Sequence, residues 1–204
     1  MKSMMKDALI LFAITLVAGL SLGFVNEVTK EPIAKAKEQA KQEACQEVFQ
    51  DASGFVLIDG FDAAEAADVL AQAGVSGSDI TEVYSATDAN GVTLGYVITV
   101  TNHEGYAGDI QFSMGVTLDG TLNGISLLSI SETPGLGMEA GEVLVPQFAG
   151  KQVSAFSYTK SGATDDSQID AISGATVTTN AIVNGVNAGL VYYQAALEGG
   201  SANE

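Results

Sequence analysis

The feature that most constrains this chain of 204 residues is a long apolar run close to its beginning. Residues 8–25 read ALILFAITLVAGLSLGFV and contain no charged side chain, a run of 18 residues. A helix that crosses a bilayer needs roughly 20 such residues, whereas the apolar core of a secretory signal peptide has about 7–15. No small-x-small cleavage pattern precedes Asn26. The run therefore predicts an uncleaved membrane anchor, with a cleaved signal peptide as the alternative.

The lysines beside this run leave its orientation in the membrane open. Lys2 and Lys6 precede the run, which favours a cytoplasmic N-terminus, but four more lysines follow within the range that matters for the positive-inside rule. Inside the run, Gly19 and Gly23 lie four residues apart, a spacing that lets helices pack closely in lipid. Glycine is also common in membrane helices generally, so a specific packing role is one of two alternatives.

The composition excludes several classes of function. The chain carries 25 acidic against 8 basic residues, a net charge of −17, whereas nucleic acid is bound through clustered lysine and arginine. One cysteine, Cys45, allows neither an internal disulfide nor a cysteine-based zinc site. One histidine, His103, predicted in a loop between strands, leaves little material for a histidine-based triad or metal site. We therefore expect neither a metal site nor catalytic residues of the chain's own.

The chain after the anchor has the pattern of a domain that mixes helices and strands. Helices are predicted at 27–50, 62–73 and 178–197. The last carries an apolar stripe of residues three and four apart, namely Ile182, Val186, Leu190, Tyr193 and Leu197. Asn90-Gly91 and Asp119-Gly120 predict the turns of two β-hairpins. Strands are accordingly predicted at 81–87, 93–101, 110–118, 122–130 and 153–158.

These elements predict an α+β fold, in which an N-terminal transmembrane helix is followed by a mostly antiparallel sheet with packed helices. The expected division is an anchor at 1–26, a connecting helix at 27–50 and a folded domain at 51–204, whose core covers about 80–198. Pro32 lies early in the connecting helix, where proline is tolerated.

A corner of small and hydroxyl-bearing residues leads into the last predicted helix, where residues 170–179 read DAISGATVTT. Backbone N–H groups at a helix start are unpaired and the helix dipole is positive there, so the corner suits a phosphate. Small residues also let the backbone approach a bulky ligand closely. Because serine and threonine are the usual N-caps, an ordinary helix cap is the alternative.

The pattern Asp170-x-x-Ser173-Gly174-Ala175-Thr176 resembles the covalent flavinylation motif of the FMN-binding domain family. That family includes the RnfG subunits of ion-translocating ferredoxin:NAD oxidoreductases and the NqrC subunits of sodium-pumping NADH:quinone reductases. The last threonine of the family's motif carries FMN through a phosphoester bond, so the resemblance implies covalent attachment of FMN to Thr176. It also implies that the three small residues let the phosphate approach and that Asp170 orients the threonine hydroxyl or a metal ion during attachment. A plain strand-end residue is the alternative role of Asp170.

The same four letters occur a second time in the chain, at residues 161–164. This copy has no aspartate three residues before its serine, and no helical pattern follows it. Asp165 and Asp166 come directly after it, and their charges would repel an incoming phosphate. We therefore predict that Thr164 lies in a polar loop and does not carry the cofactor.

Two further blocks extend the resemblance. Residues 132–137 match the family's Glu-Thr-Pro-Gly-Leu-Gly loop, which the resemblance places beside the flavin ring. A simple turn would explain Pro134 and Gly135 but not the outer residues of the block. The implied cofactor-binding residues are Glu132, Thr133, Gly135, Leu136 and Gly137, together with Thr178 in the turn after the motif. Gly105-Tyr106-Ala107-Gly108 resembles the family's Gly-Tyr-x-Gly start to the core sheet, although a glycine turn before a strand is the alternative.

The function that the resemblance implies is electron transfer in a membrane complex. The cofactor carries the redox chemistry, so the chain is expected to be an electron-transfer subunit of an oxidoreductase, not catalytic alone. Its length resembles RnfG-type subunits, which implies an extracytoplasmic flavin domain, neighbouring membrane subunits of an Rnf-type complex as partners, and maturation by a separate flavin transferase. The alternatives are an NqrC-like subunit, a cofactor-free anchored extracytoplasmic binding module and a standalone extracellular flavoprotein.

Overall fold

The computed structural model describes residues 2–198 and divides the chain into two compact units, Met1–Ala40 and Lys41–Glu204. Helix α1 spans Lys2–Val48. Among the described residues it is the one helix long and apolar enough to cross a membrane, with a mean hydropathy of 2.5 in its most apolar window. The residues predicted as an anchor and as a separate connecting helix therefore lie on one continuous helix. Pro32 is inside it rather than in a first turn, among the alanine, glutamate and lysine residues that favour helix.

The second unit is built on a five-stranded antiparallel sheet in which every strand pairs with the next along the chain. Its strands are β1 (Gly54–Leu57), β2 (Ser78–Thr87), β3 (Thr93–Asn102), β4 (Ile110–Thr117) and β5 (Leu122–Ser129). The four strands predicted for the two hairpins are confirmed, and the glycine of each predicted turn has a positive φ. The short edge strand β1 was not predicted. The α+β fold with a mostly antiparallel sheet is thus confirmed.

Both faces of the sheet are covered by helices. Helix α4 (Thr176–Tyr192) packs on β2, β3 and β4, and a single π-helical turn (Tyr193–Leu197) continues it. All five residues of its predicted apolar stripe are buried. Helix α4 begins two residues earlier than predicted. On the opposite face, the end of α1 contributes Cys45 and Val48 to a small apolar cluster with Val97 of β3.

The remaining elements connect the sheet to α4. Helix α2 (Ala63–Gln72) has Asp62 as its N-cap, and the helix predicted at 62–73 is confirmed. After β5 the chain forms a 3₁₀ turn (Gly137–Glu139), the short helix α3 (Ala140–Val143) and a second 3₁₀ turn (Val145–Phe148). Strands β6 (Ser157–Thr159) and β7 (Gln168–Asp170) then pair in parallel.

The prediction of a strand at 153–158 is wrong for most of its length. Phe156 does not pair with a strand, because the side chain of Asn187 on α4 binds both of its backbone polar groups. The Phe156 N–H donates to Asn187 Oδ1 (2.7 Å), and Asn187 Nδ2 donates to the Phe156 carbonyl (2.8 Å). An apolar run that reads as a strand is therefore held in irregular backbone by one amide group.

Candidate functional site

The three blocks singled out in the sequence meet around one pocket of about 430 Å³. The loop after β3 forms one wall, the loop after β5 a second, and the first turn of α4 a third. The lining residues are Tyr106, Glu132, Thr133, Leu136, Gly137, Gly174, Ala175, Thr176, Val177 and Thr178. A volume of this size lies within the usual range for ligand sites, about 300–1,000 Å³. The fold thus brings together residues that are up to about 70 positions apart in the sequence.

The carboxylate of Glu132 joins the three walls. Its side chain is buried, and Oε1 accepts hydrogen bonds from the backbone N–H groups of Tyr106 (2.8 Å) and Ala107 (3.4 Å). Oε2 accepts from the Thr178 hydroxyl on α4 (3.0 Å). A buried carboxylate is costly unless donors surround it, and here each oxygen is matched by donors from a different segment. Glu132 therefore fixes the position of both loops relative to the helix start.

Two glycines make this burial possible. A Cβ on Gly137 would lie 2.6 Å from Thr178 Oγ1 and 2.7 Å from Glu132 Cβ. A Cβ on Gly105 would lie 2.1 Å from the Gly108 carbonyl oxygen and 2.9 Å from Glu132 Oε1. Both positions therefore require glycine so that the backbone can approach the carboxylate closely. This packing explains why positions 132 and 137 are glutamate and glycine, which a simple turn does not explain.

The first turn of α4 presents unpaired backbone donors to the pocket. Ala175 occupies the N-cap position and makes no side-chain capping hydrogen bond. Within residues 2–198, the N–H groups of Thr176, Val177 and Thr178 have no acceptor, whereas the next one, on Thr179, bonds to the Ala175 carbonyl. The serine or threonine cap expected under the ordinary-cap alternative is therefore not formed. Three unpaired N–H groups at the positive end of a helix dipole form a site for an anion such as phosphate.

The mouth of the pocket is apolar. Tyr106, Leu136 and Val177 are exposed although their side chains are large and hydrophobic. Among the residues that line the pocket, Glu132 is the one charged side chain, and its charge is held by the donors described above. The arrangement thus combines a group of anion-binding N–H donors with apolar side chains that suit a flat aromatic ring.

Eight of the eleven predicted cofactor-binding residues line this pocket, and three do not. Ser173 is exposed outside it, and Gly135 forms the tip of the turn at a φ of 74°. The Asp170 carboxylate accepts a hydrogen bond from the Ala163 N–H (2.7 Å) and so holds the loop of residues 161–164. Tyr106 also lines the pocket and was not predicted as a site residue, although the glycine-tyrosine block that contains it is part of the resemblance.

Thr164 lies outside the pocket. The Thr164 hydroxyl donates to Gln168 Oε1 (3.1 Å), and Thr164 is exposed. Hydrogen bonds from Ser167 lower the pKa of Asp165, which keeps a negative charge directly beside this threonine. Thr176, by contrast, is half-buried in the pocket wall at the helix start.

Comparison with known proteins identifies the family of the region that contains the pocket. Residues 105–191 match the FMN-binding domain family, and this range contains every residue that lines the pocket. Residues 1–48 match the RnfG N-terminal region. Residues 105–191 therefore form an FMN-binding domain, and the chain also carries the RnfG N-terminal region.

Whole-chain relatives narrow the assignment. The chain is 34% identical to the G subunit of the Na⁺-translocating ferredoxin:NAD⁺ oxidoreductase complex of Acetobacterium woodii, over 95% of this chain and 93% of the relative. It is 28% identical to the G subunit of the ion-translocating oxidoreductase complex of Methanosarcina acetivorans, over 95% and 96% of the two chains. This chain belongs to the RnfG family, the G subunits of ion-translocating oxidoreductase complexes.

A solved structure supports the fold. The crystal structure of the C subunit of the Na⁺-translocating NADH-quinone reductase from Parabacteroides distasonis superposes with a TM-score of 0.50, covering 75% of this chain and 79% of that one. The two sequences are 20% identical, so the likeness concerns the fold alone.

Proposed function

We propose that this chain is the FMN-carrying electron-transfer subunit of a membrane-bound, ion-translocating ferredoxin:NAD⁺ oxidoreductase complex. The observation that carries the proposal is the single pocket in which all three family blocks meet at the unpaired first turn of α4. Membership of the RnfG family supplies the complex in which such a domain works. When bound, FMN supplies the redox chemistry, while the chain supplies position and electrostatics.

The residues present fit FMN and define the roles of the walls. The N–H groups of Thr176, Val177 and Thr178 would bind the phosphate, and the apolar side chains at the mouth would contact the ring. Glu132 would not touch the cofactor's reactive atoms, because its oxygens are occupied by Tyr106, Ala107 and Thr178. Its role would be to hold the two loops at the distance from α4 that the cofactor needs.

We further propose that FMN is attached covalently through its phosphate to Thr176 by a separate flavin transferase. The half-buried threonine lies in the pocket wall, next to the three unpaired N–H groups that would bind the phosphate. The hydrogen bond from Ala163 to the Asp170 carboxylate supports the structural alternative for that residue, a strand-end side chain that fixes the preceding loop. Ser173 would serve as a small exposed residue past which the phosphate approaches.

The membrane arrangement follows the same proposal. The apolar part of α1 would form an anchor at about residues 1–26, the polar residues 27–50 would connect it to the domain, and the domain at 51–204 would lie outside the cytoplasm. The partners would be other membrane subunits of an Rnf-type complex. An NqrC-like role in a sodium-pumping NADH:quinone reductase is the second candidate, supported by likeness of fold alone.

Flavin fluorescence of the denatured chain tests the cofactor and its attachment together. The full chain is co-expressed with a flavin transferase and separated on a denaturing gel, with Thr176→Val and Thr164→Val as matched variants. We expect a fluorescent band for the wild type and for Thr164→Val, and none for Thr176→Val. A transferase that labels a known substrate but leaves the wild-type chain dark would refute covalent attachment, because FMN held without a covalent bond is lost on denaturation. A band that persists in Thr176→Val would refute only the choice of threonine.

A further inference from the structure

A second pocket, of about 420 Å³, lies between the loop before α2, α2 itself and the C-terminal end of α4. We refer to it as the acidic pocket, because three carboxylate residues line it, namely Asp59, Asp62 and Glu65. It shares no lining residue with the pocket at the first turn of α4, which we call the flavin pocket. The two pockets lie near opposite ends of α4, whose 17 residues rise by about 25 Å.

The negative charge of the acidic pocket has no counter-ion within the described part of the chain. None of its lining residues is basic, and none of the three carboxylates forms an ion pair with any residue from 2 to 198. Asp62 is used locally, since its Oδ1 accepts from the Ala64 N–H (2.7 Å) as the N-cap of α2. Asp59 and Glu65 have no such use and leave two carboxylates available to an incoming cation.

The wall of the acidic pocket also contains a tyrosine hydroxyl that is open to an incoming donor. Tyr192 is only 8% exposed, and its hydroxyl oxygen keeps solvent-accessible surface and makes no hydrogen bond with any residue between 2 and 198. The neighbouring Tyr193, buried in the same core, donates its hydroxyl to the Leu118 carbonyl (3.0 Å). Burial and the charge of Glu65 raise the pKa of Tyr192, so its hydroxyl stays protonated and can both donate and accept.

An aromatic pair completes the wall. The rings of Phe61 and Tyr192 meet edge to face with their centroids 6.2 Å apart, and both residues line the acidic pocket. A ring system beside uncompensated carboxylates favours a cation that is planar and weakly hydrated. Guanidinium meets both conditions, because it stacks on aromatic rings and binds carboxylates through two parallel N–H donors, whereas an ammonium group is compact and strongly hydrated.

We propose that the acidic pocket binds the guanidinium group of an arginine side chain presented by a partner protein. Its N–H donors would pair with Glu65 and Asp59, and a further donor would reach the hydroxyl oxygen of Tyr192. The net charge of −17 would attract a basic surface to the chain, and the three lining carboxylates would supply the local negative charge. Because the two pockets share no residue, this docking does not depend on the proposed flavin function.

The test uses the full chain in detergent micelles, with its tyrosines replaced by 3-fluorotyrosine and observed by ¹⁹F NMR. The Tyr192 resonance is assigned by its loss in Tyr192→Phe. N-acetyl-arginine methylamide is then titrated in, and the citrulline analogue, which has nearly the same shape but no charge, is titrated in parallel. We expect a saturable shift of the Tyr192 signal with the arginine probe, which weakens as salt is raised, and no saturable shift with citrulline.

Two variants on α2 distinguish binding in the acidic pocket from a general attraction to the negative charge of the chain. Glu65→Gln removes a lining carboxylate, and we expect it to weaken the arginine response roughly threefold. Asp68→Asn removes an exposed carboxylate three residues away that does not line the pocket, and its affinity should equal that of the wild type. Circular dichroism checks that both variants are folded.

Four results would overturn the proposal. They are the absence of a saturable shift in the wild type, an equal response to citrulline, an equal loss in Asp68→Asn and Glu65→Gln, and a stronger response to choline or N-acetyl-lysine methylamide than to the arginine probe.

Discussion

At the scale of single residues, Glu132 explains why three short segments of this chain have the sequences they have. Its buried carboxylate needs donors, and it obtains them from two backbone N–H groups after β3 and from a hydroxyl on α4. The approach of those segments leaves no room for a side chain at Gly105 or Gly137. One buried charge therefore determines residue types in loops that are about 30 positions apart.

Replacing this carboxylate should destabilise the domain. Glu132→Ala leaves the Tyr106 N–H and the Thr178 hydroxyl without an acceptor, and each buried donor left unpaired costs about 1–3 kcal/mol. We expect the free energy of unfolding, measured by urea denaturation, to fall by about 2–4 kcal/mol. The exposed Glu142→Ala is the control and should change it by less than about 0.5 kcal/mol. Equal losses in the two variants would contradict the role given to Glu132.

His103 predicts a dependence on pH. Its Nε2 lies 3.0 Å from Asp79 Oδ2 and its Nδ1 lies 2.9 Å from Asp109 Oδ1, and hydrogen bonds to these two carboxylates raise its pKa above the ordinary 6.5. A raised pKa in the folded state means that the histidine stabilises the fold fully below its unfolded pKa. That contribution is lost as the pH rises through the folded-state pKa.

The measurement is the difference in unfolding free energy between the wild type and His103→Gln at several pH values. We expect the difference to be largest near about pH 5.5 and to shrink towards about pH 8.5. His103 lies in the loop after β3, three residues before Tyr106. Its hydrogen bonds to the two carboxylates should therefore hold this wall of the flavin pocket most firmly in mild acid. A difference that stays constant or grows as the pH rises would contradict a raised histidine pKa.

At the scale of secondary-structure elements, side chains on α4 form hydrogen bonds with backbone groups that would otherwise pair with a neighbouring strand. Asn187 binds the N–H and the carbonyl of Phe156, and Thr179 accepts from the Ile172 N–H (3.2 Å) while donating to the Ala175 carbonyl (3.0 Å). Helix α4 therefore organises the irregular chain that leads from β5 to its own first turn.

Asn187→Leu should show how much the two hydrogen bonds from the Asn187 amide to Phe156 contribute to stability. It leaves both backbone groups of Phe156 unpaired, so we expect a loss of about 2–4 kcal/mol in unfolding free energy. Amide hydrogen exchange at Phe156 should also become faster. Asn184→Leu, on the same helix, removes one exposed hydrogen bond to Glu104 Oε2 and should cost less than about 1 kcal/mol. If the two variants cost the same, the amide of Asn187 has no special role.

The elements that local chemistry determines were predicted from the sequence, and those that depend on distant partners were not. The turns at Asn90-Gly91 and Asp119-Gly120 need only their own residues, so both hairpins were predicted. The region 153–158 depends on Asn187, about 30 positions away, and β6 depends on its parallel pairing with β7. Neither partner can be recognised from periodicity.

The same reasoning applies to the candidate site. Thr176 and the loop at 132–137 were predicted because they match a family motif, and Thr176 and four residues of that loop line the pocket. Asp170 matches the motif too, but its carboxylate is occupied by the Ala163 N–H, a contact that no local pattern indicates. Tyr106 belongs to a block that the resemblance includes, but its place in the site depends on the hydrogen bond from its backbone N–H to Glu132, which no local pattern indicates.

At the scale of the whole molecule, the chain combines an apolar helix with an acidic domain. The window of α1 that could cross a membrane has none of its residues buried within the protein, and the exposed leucine, isoleucine and phenylalanine side chains there are suited to lipid. With lysines on both sides of the apolar run, the positive-inside rule does not decide the orientation. The folded unit carries most of the acidic residues, and acidic residues contribute little to that rule.

Cysteine labelling in intact cells decides the orientation. In a Cys45→Ala background, Asp166→Cys places a thiol on an exposed loop of the folded unit, and Lys6→Cys places one before the apolar run. We expect a membrane-impermeant maleimide to label Asp166→Cys in intact cells and Lys6→Cys only after permeabilisation, because we propose that the folded unit lies outside the cytoplasm. The cysteine-free background reports labelling of other thiols. The reverse pattern would place the domain in the cytoplasm, and FMN attachment would then require a cytoplasmic flavin transferase.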